Sequence, residues 1–164
     1  MRVGLGYDSH VFDEGRPLRL GGVLIPGAPG LRGHSDADAL VHALVDALYG
    51  AAALGDIGSH FPDSDPRWAD ADSLQFLRAA MAEVRAAGYT VGNVDATVIC
   101  ERPKLRPHID AIRTRLAEEL GVSVTSVSVK AKTNEGMDAV GAGRGIAVHC
   151  VALLVAFAAG SLGD

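Results

Sequence analysis

The chain has 164 residues, 48% of them hydrophobic, enough for one well-packed domain and too few for two of ordinary size. Charged residues make up 21%, the formal net charge is -5, aromatics are 5% and no lysine/arginine block occurs, so a surface built for a nucleic-acid backbone is not expected. The longest apolar tract, Ile146 to Ala158, is broken by His149 and falls short of the roughly 20 residues of a spanning helix, and the chain starts on strand-like residues, so a cytoplasmic protein is expected.

Arg2 to His10 predicts a first strand, and Leu18 to Pro26 a short hairpin turned at Gly21-Gly22. A Gly/Pro-rich loop is expected from there to Gly33. Ser35 and Asp38, three apart, read as a capping-box-like helix start, and Leu40, Val41, Leu44, Val45 and Leu48 carry the helix to about Ala53, with Gly55 as its stop. The segment from Gly55 to Pro66, rich in Pro, Gly and acids, predicts a loop with little packing of its own, of the kind that covers a site. Ser73 to Ala87 predicts a second helix ended by Gly88, Val91 to Glu101 a strand, Leu105 to Leu120 a third helix ended by Gly121, and Val127 to Ala131 another strand. The closing strand, Gly145 to about Ala156, carries apolar residues on both alternating faces and is expected to be covered on both sides, either by helices or by another subunit. The expected class is an α/β sandwich in which one sheet packs against helices, as a single domain over residues 1–164.

Asp8 and His10 are two apart on the first strand and so share a face. An acid and an imidazole leaning toward one point make half of a divalent-metal site, which His42 is expected to complete. Asp38, His42 and Asp46 lie four apart on one helix face, either as a solvated stripe or as residues aimed at a site. An Asp/His₂ set leaves one tetrahedral position open, as catalytic Zn²⁺ requires, and Asp46 or Asp38 would then orient His42. That position suits a metal-bound water or a substrate oxygen equally well.

A second constellation is Lys132, Thr133, Asn134, Glu135 and Gly136, followed by Gly141 to Gly145. Lys132 and the Thr133 hydroxyl suit phosphate oxygens and Glu135 a hard cation, or else Lys130 and Lys132 are the solvent-facing members of an alternating strand. His34 and Ser35, next to a helix start, are the candidates for an anion contact. His60, His108 and His149 are expected in structural or surface roles. Cys100 and Cys150 sit in apolar runs and read as buried hydrophobes, not nucleophiles.

Taken in order, Gly4 to His10, His34 to Asp38 with His42, Gly50 to Gly58 with Phe61-Pro62-Asp63, Pro103-Lys104 with Pro107-His108, and Val129 to Ala131 with Thr133 and Glu135 resemble the 2-C-methyl-D-erythritol 2,4-cyclodiphosphate synthase family nearly end to end. The resemblance implies a mixed sheet packed against helices and assembled as a homotrimer around a central cavity, with active sites at subunit interfaces. It implies Zn²⁺ on Asp8, His10 and His42, and a second divalent cation, Mg²⁺ or Mn²⁺, near Glu135. The implied substrate is a cytidine diphosphate ester, 4-diphosphocytidyl-2-C-methyl-D-erythritol 2-phosphate. Its 2-phosphate attacks the β-phosphorus, CMP leaves and the 2,4-cyclodiphosphate forms, which is a phosphorus-oxygen lyase reaction of the non-mevalonate isoprenoid pathway.

On the same resemblance His34, Ser35, Asp56, Thr133 and Glu135 are the catalytic set. Asp56, Gly58 and Asp63 face the methylerythritol phosphate part, Pro103, Lys104, Ala131 and Thr133 the cytidine diphosphate part, and Asp8, His10, His34, Ser35, Ile57, Phe61, Pro62, Lys132, Asn134 and Glu135 complete the substrate-binding set. The family also implies an isoprenoid diphosphate in the central cavity, held by an arginine. Here Ala142 stands at that position and Arg144 two residues later, while Asn134 replaces a common threonine. Two other readings use the same ligands: a phosphohydrolase with a metal-bound water, and a non-catalytic trimer that senses cytidine nucleotides or isoprenoid diphosphates.

Overall fold

Two glycines set the architecture. On the inward face of β1 (Arg2–Leu20) the residues run Gly4, Gly6, Asp8, His10, and a Cβ on Gly4 or Gly6 would lie 1.9 Å from the carbonyl oxygen of Ala47 or Ala43. Their absence lets helix α1 (Ala39–Ala52) lie directly on the strand, so the helix that carries His42 is pressed against the strand that carries Asp8 and His10. The computed structural model describes residues 1–157, and the remainder of the expected domain, 158–164, lies outside the described residues.

Five strands form one mixed sheet in the order β2-β1-β5-β3-β4, with β2 at Val23–Leu31, β3 at Tyr89–Ile99, β4 at Val127–Lys132 and β5 at Gly145–Ala156. β3 and β4 run parallel, joined through α4 (Ile109–Leu120), while the other neighbours pair antiparallel. α1, α3 (Leu74–Ala86) and α4 enclose the core with the fully buried Leu18, Leu20, Leu40, Leu44, Leu48, Leu77, Met81, Ile112 and Leu116. Two one-turn helices, α2 (Ile57–His60) and α5 (Asp138–Gly141), complete the chain. No helix among the described residues is long and apolar enough to cross a membrane.

Several expectations are corrected. The first strand runs on past His10 to Leu20, pairing with β5 as far as Val11 and with β2 from Phe12 onward. The second hairpin strand, β2, runs on past Pro26 to Leu31 and takes in most of the segment expected as a Gly/Pro loop. Its prolines are tolerated because β2 is an edge strand and because register shifts around Pro17 and Pro29 absorb the missing N–H groups. The hairpin does turn at Gly21-Gly22, both at positive φ, as a two-residue turn requires.

The cap of α1 is Asp38, not Ser35. Its fully buried carboxylate accepts from the N–H groups of Val41, Gly21 and Gly22, so one side chain ties the hairpin turn to the helix start. α1 ends at Ala53 in the left-handed region, two residues before Gly55. β5 is buried on one face by α1, but on the other Val151 is 40% exposed and is flanked on β1 by exposed Val3, Leu5, Tyr7 and Val11, so one chain covers only half of it.

Candidate functional site

Three elements converge at the C-terminal end of the Gly4–His10 run. Asp8 Oδ2 lies 2.9 Å from His10 Nε2 and 3.1 Å from His42 Nδ1, and the two ring nitrogens are 3.4 Å apart. Among the described residues this is the cluster whose ligand atoms lie close enough to share a cation. Four ligands at roughly 2.0–2.1 Å in a tetrahedron stand about 3.3 Å from one another, so the spacing and the O/N/N donor set both suit Zn²⁺.

Burial raises the Asp8 pKa, but the His10 and His42 rings, which donate to the carboxylate and oppose its charge in their protonated forms, outweigh burial and hold the carboxyl well below its usual range. Burial likewise lowers His10, and the Asp8 carboxylate more than reverses it, so His10 ends above its ordinary value. The outer nitrogen of each ring is also occupied. His10 Nδ1 donates to the Arg32 carbonyl at 2.6 Å, and His42 Nε2 faces the Ser73 and Ser35 hydroxyls at 2.9 and 3.1 Å. The expected orienting acids do other work: Asp38 caps α1, and Asp46 Oδ1 accepts from Ile57 N–H at 2.8 Å, fixing the start of α2.

A cleft of about 410 Å³ opens over the cluster. Of the expected contacts it brings together Asp8, His10, His34, Ser35, His42, Ile57, Gly58, Phe61, Pro62 and Asp63. Its walls add Gly33, Trp68 and Phe76, which no motif in the sequence marks. The segment expected as a loop with little packing has its own helix, capped by Asp56 on Ser59 N–H, and an aromatic cluster in which Phe61 stacks on Phe76 at 4.6 Å and meets Trp68 edge-on at 5.2 Å. Arg16 carries no sequence signal either. It donates to the carbonyls of Gly33 and Ser35 and pairs with Asp70, clamping the turn that presents His34 and Ser35.

The second constellation lies elsewhere in the single chain. Thr133 Oγ1 donates to Glu135 Oε1 at 2.7 Å, and Asn134 N–H donates to Glu101, but none of these residues, nor Ala131 or Lys132, lines the metal cleft. Pro103 and Lys104 line a separate recess of about 500 Å³ with Pro29, Arg102 and Gly143. Arg144 lines a third recess, with Tyr7, Ser9 and Val11. His60 is held between Glu83, the Leu54 carbonyl and the Tyr49 ring, consistent with a structural role. Cys100 and Cys150 are buried free thiols, pushed up by burial to about 11 and about 12.

The YgbB family model matches residues 1–155. The chain is 58% identical over 155 residues to a 2-C-methyl-D-erythritol 2,4-cyclodiphosphate synthase of Ectopseudomonas mendocina (strain ymp), covering 94% of this chain and 99% of that protein. Among solved structures, a CDP-bound 2C-methyl-D-erythritol-2,4-cyclodiphosphate synthase superposes with a TM-score of 0.87 at 43% identity, covering 94% of this chain and all of that one. The bifunctional IspDF of Campylobacter jejuni superposes with a TM-score of 0.92 at 40% identity; there the match covers 95% of this chain and 42% of the longer one.

Proposed function

Because this chain belongs to the YgbB family and is an enzyme forming 2-C-methyl-D-erythritol 2,4-cyclodiphosphate in the non-mevalonate isoprenoid pathway, we propose that it works as a cytoplasmic homotrimer whose active sites are shared between neighbouring subunits. The observation that carries the metal half of this reading is the convergence of Asp8 Oδ2, His10 Nε2 and His42 Nδ1 on one point at the floor of the cleft. The trimer is supported by the exposed apolar face of β1 and β5, which a single chain leaves half-covered. It is supported too by the separation, within one chain, of the metal cleft from the recess at Pro103 and Lys104.

In this reading Asp8, His10 and His42 hold Zn²⁺, and Glu135 faces a second divalent cation, Mg²⁺ or Mn²⁺, beside the nucleotide. Bound there, the cations neutralise and align the substrate phosphates, offsetting a like-charge repulsion of about 4 kcal/mol at about 4 Å. Asp56, Gly58 and Asp63 bind the methylerythritol part, with Ile57, Phe61 and Pro62 shaping the cleft wall around it. His34 and Ser35 meet the attacking 2-phosphate. Pro103, Lys104, Ala131, Lys132, Thr133 and Asn134 of the adjoining subunit hold the cytidine diphosphate. The side chains position one phosphate in line with the other and exclude water, so no nucleophilic residue is needed and CMP departs as the ring closes.

Subunit complementation tests the shared site. Asp8→Ala and Thr133→Ala proteins, each inactive alone, should regain part of the activity when their subunits are mixed and reassembled, since some interfaces then hold two intact halves. A mixture as inactive as its components would refute the sharing.

A further inference from the structure

Ser73 sits at the N-cap of α3, yet its hydroxyl makes no cap hydrogen bond. A serine there ordinarily accepts from the first turn of the helix. This one is fully buried and turned the other way: it donates to Asp36 Oδ1 and stands 2.9 Å from His42 Nε2. Asp36 is itself fixed, its N–H donating to the Ala71 carbonyl at 3.0 Å and its Oδ1 also accepting from Asp38 N–H at 3.2 Å.

Chemistry sets the direction of this chain of bonds. A carboxylate only accepts, so the Ser73 proton goes to Asp36, and the lone pairs left on Ser73 Oγ accept from His42 Nε2–H at 2.9 Å, nearer than the Ser35 hydroxyl, which stands 3.1 Å from the same nitrogen. A proton on Nε2 leaves the lone pair on Nδ1, the nitrogen that faces Asp8 and His10. We propose that Asp36 and Ser73 are positioning residues that fix the tautomer and ring plane of His42 for cation binding, doing for the helix-borne ligand what the Arg32 carbonyl does for His10. The inference rests on the metal reading above and adds to it the groups that orient the ligand. Neither acid on the helix stripe takes this role, because Asp38 and Asp46 are bonded to backbone N–H groups.

The test is zinc affinity, measured on metal-free protein by competition with a chromogenic chelator. Ser73→Ala and Asp36→Ala are expected to bind about ten- to a hundredfold more weakly, and Ser73→Thr, which keeps the hydroxyl, to recover most of the loss. Asp8→Ala is measured alongside. If it binds zinc as tightly as the wild type, the metal reading falls and the inference with it. If Asp8→Ala loses zinc while Ser73→Ala and Asp36→Ala keep wild-type affinity, only the positioning role is overturned. Should the variants fail to fold, ring-nitrogen NMR of the metal-free wild type at about pH 8, where an ordinary imidazole is neutral, decides: a His42 proton on Nε2 supports the inference, and one on Nδ1 overturns it.

Discussion

Replacing Gly6 by alanine should disable the metal centre without altering any of its ligands. The added Cβ would lie 1.9 Å from the Ala43 carbonyl oxygen and 2.8 Å from the Ala47 nitrogen, both rigid backbone of α1, whereas real Cβ contacts essentially never fall below 3.0 Å. The helix must therefore retreat by about 1.1 Å, the difference between those two distances for Ala43. Ala43 is the residue next to His42, so Nδ1 moves with it. Ligand positions tolerate only about 0.2 Å, so zinc affinity should fall well over tenfold. Overpacking should also cost about 1–3 kcal/mol, which lowers Tm by roughly 5 °C in a domain of this size. Gly50, on α1 with nothing within 4 Å of an added Cβ, is the control, since Gly50→Ala should stabilise by about 0.5–1 kcal/mol and leave zinc binding alone. Chelator competition and thermal melts of metal-free protein read both effects. Wild-type zinc affinity in a folded Gly6→Ala protein would refute the claim that the close approach of α1 sets the ligand geometry.

Three more outcomes follow from the same contacts. Asp38→Ala should destabilise the fold by roughly 2–4 kcal/mol in urea melts, because it removes the α1 cap and leaves the buried N–H groups of Gly21 and Gly22 without a partner. In metal-free protein, depressed Asp8 stabilises fully above its unfolded value of 3.8 and loses that contribution as pH falls, whereas raised His10 stabilises fully below 6.5 and loses its contribution as pH rises through its folded value. The pair therefore helps most between those limits, while zinc binding, which needs neutral His10, should strengthen about tenfold or more between pH 6 and pH 8 in the same chelator assay. Cys100 and Cys150, with thiols raised to about 11 and about 12, should react with a thiol reagent at pH 8 only after denaturation, and prompt native labelling would contradict their burial.

The metal ligands were legible because their spacing is a local property. Asp8 and His10 share a strand face by period two, and His42 falls on a helix whose apolar stripe is plain in the sequence. The three long helices, the hairpin turn and the last three strands were legible for the same reason. What holds His42 was not, since Ser73 lies 31 residues from His42 and 37 from Asp36, and neither carries a pattern beyond a serine before a helix and an acid in a turn. The second half of edge strand β2 was hidden by its prolines, whose cost is removed by register shifts that only the pairing with β1 reveals. The open face of β5 reads as buried in sequence because apolar alternation marks a strand with two apolar faces, and does not say whether a helix of the same chain or another subunit covers each.

The most direct test is the product formed when purified enzyme, with Zn²⁺ and Mg²⁺, meets 4-diphosphocytidyl-2-C-methyl-D-erythritol 2-phosphate, followed by ³¹P NMR. The proposed reading, in which the site aligns two substrate phosphates and activates no water, predicts CMP and cyclic diphosphate in equal amounts. Linear, hydrolysed phosphates in place of the ring would contradict it.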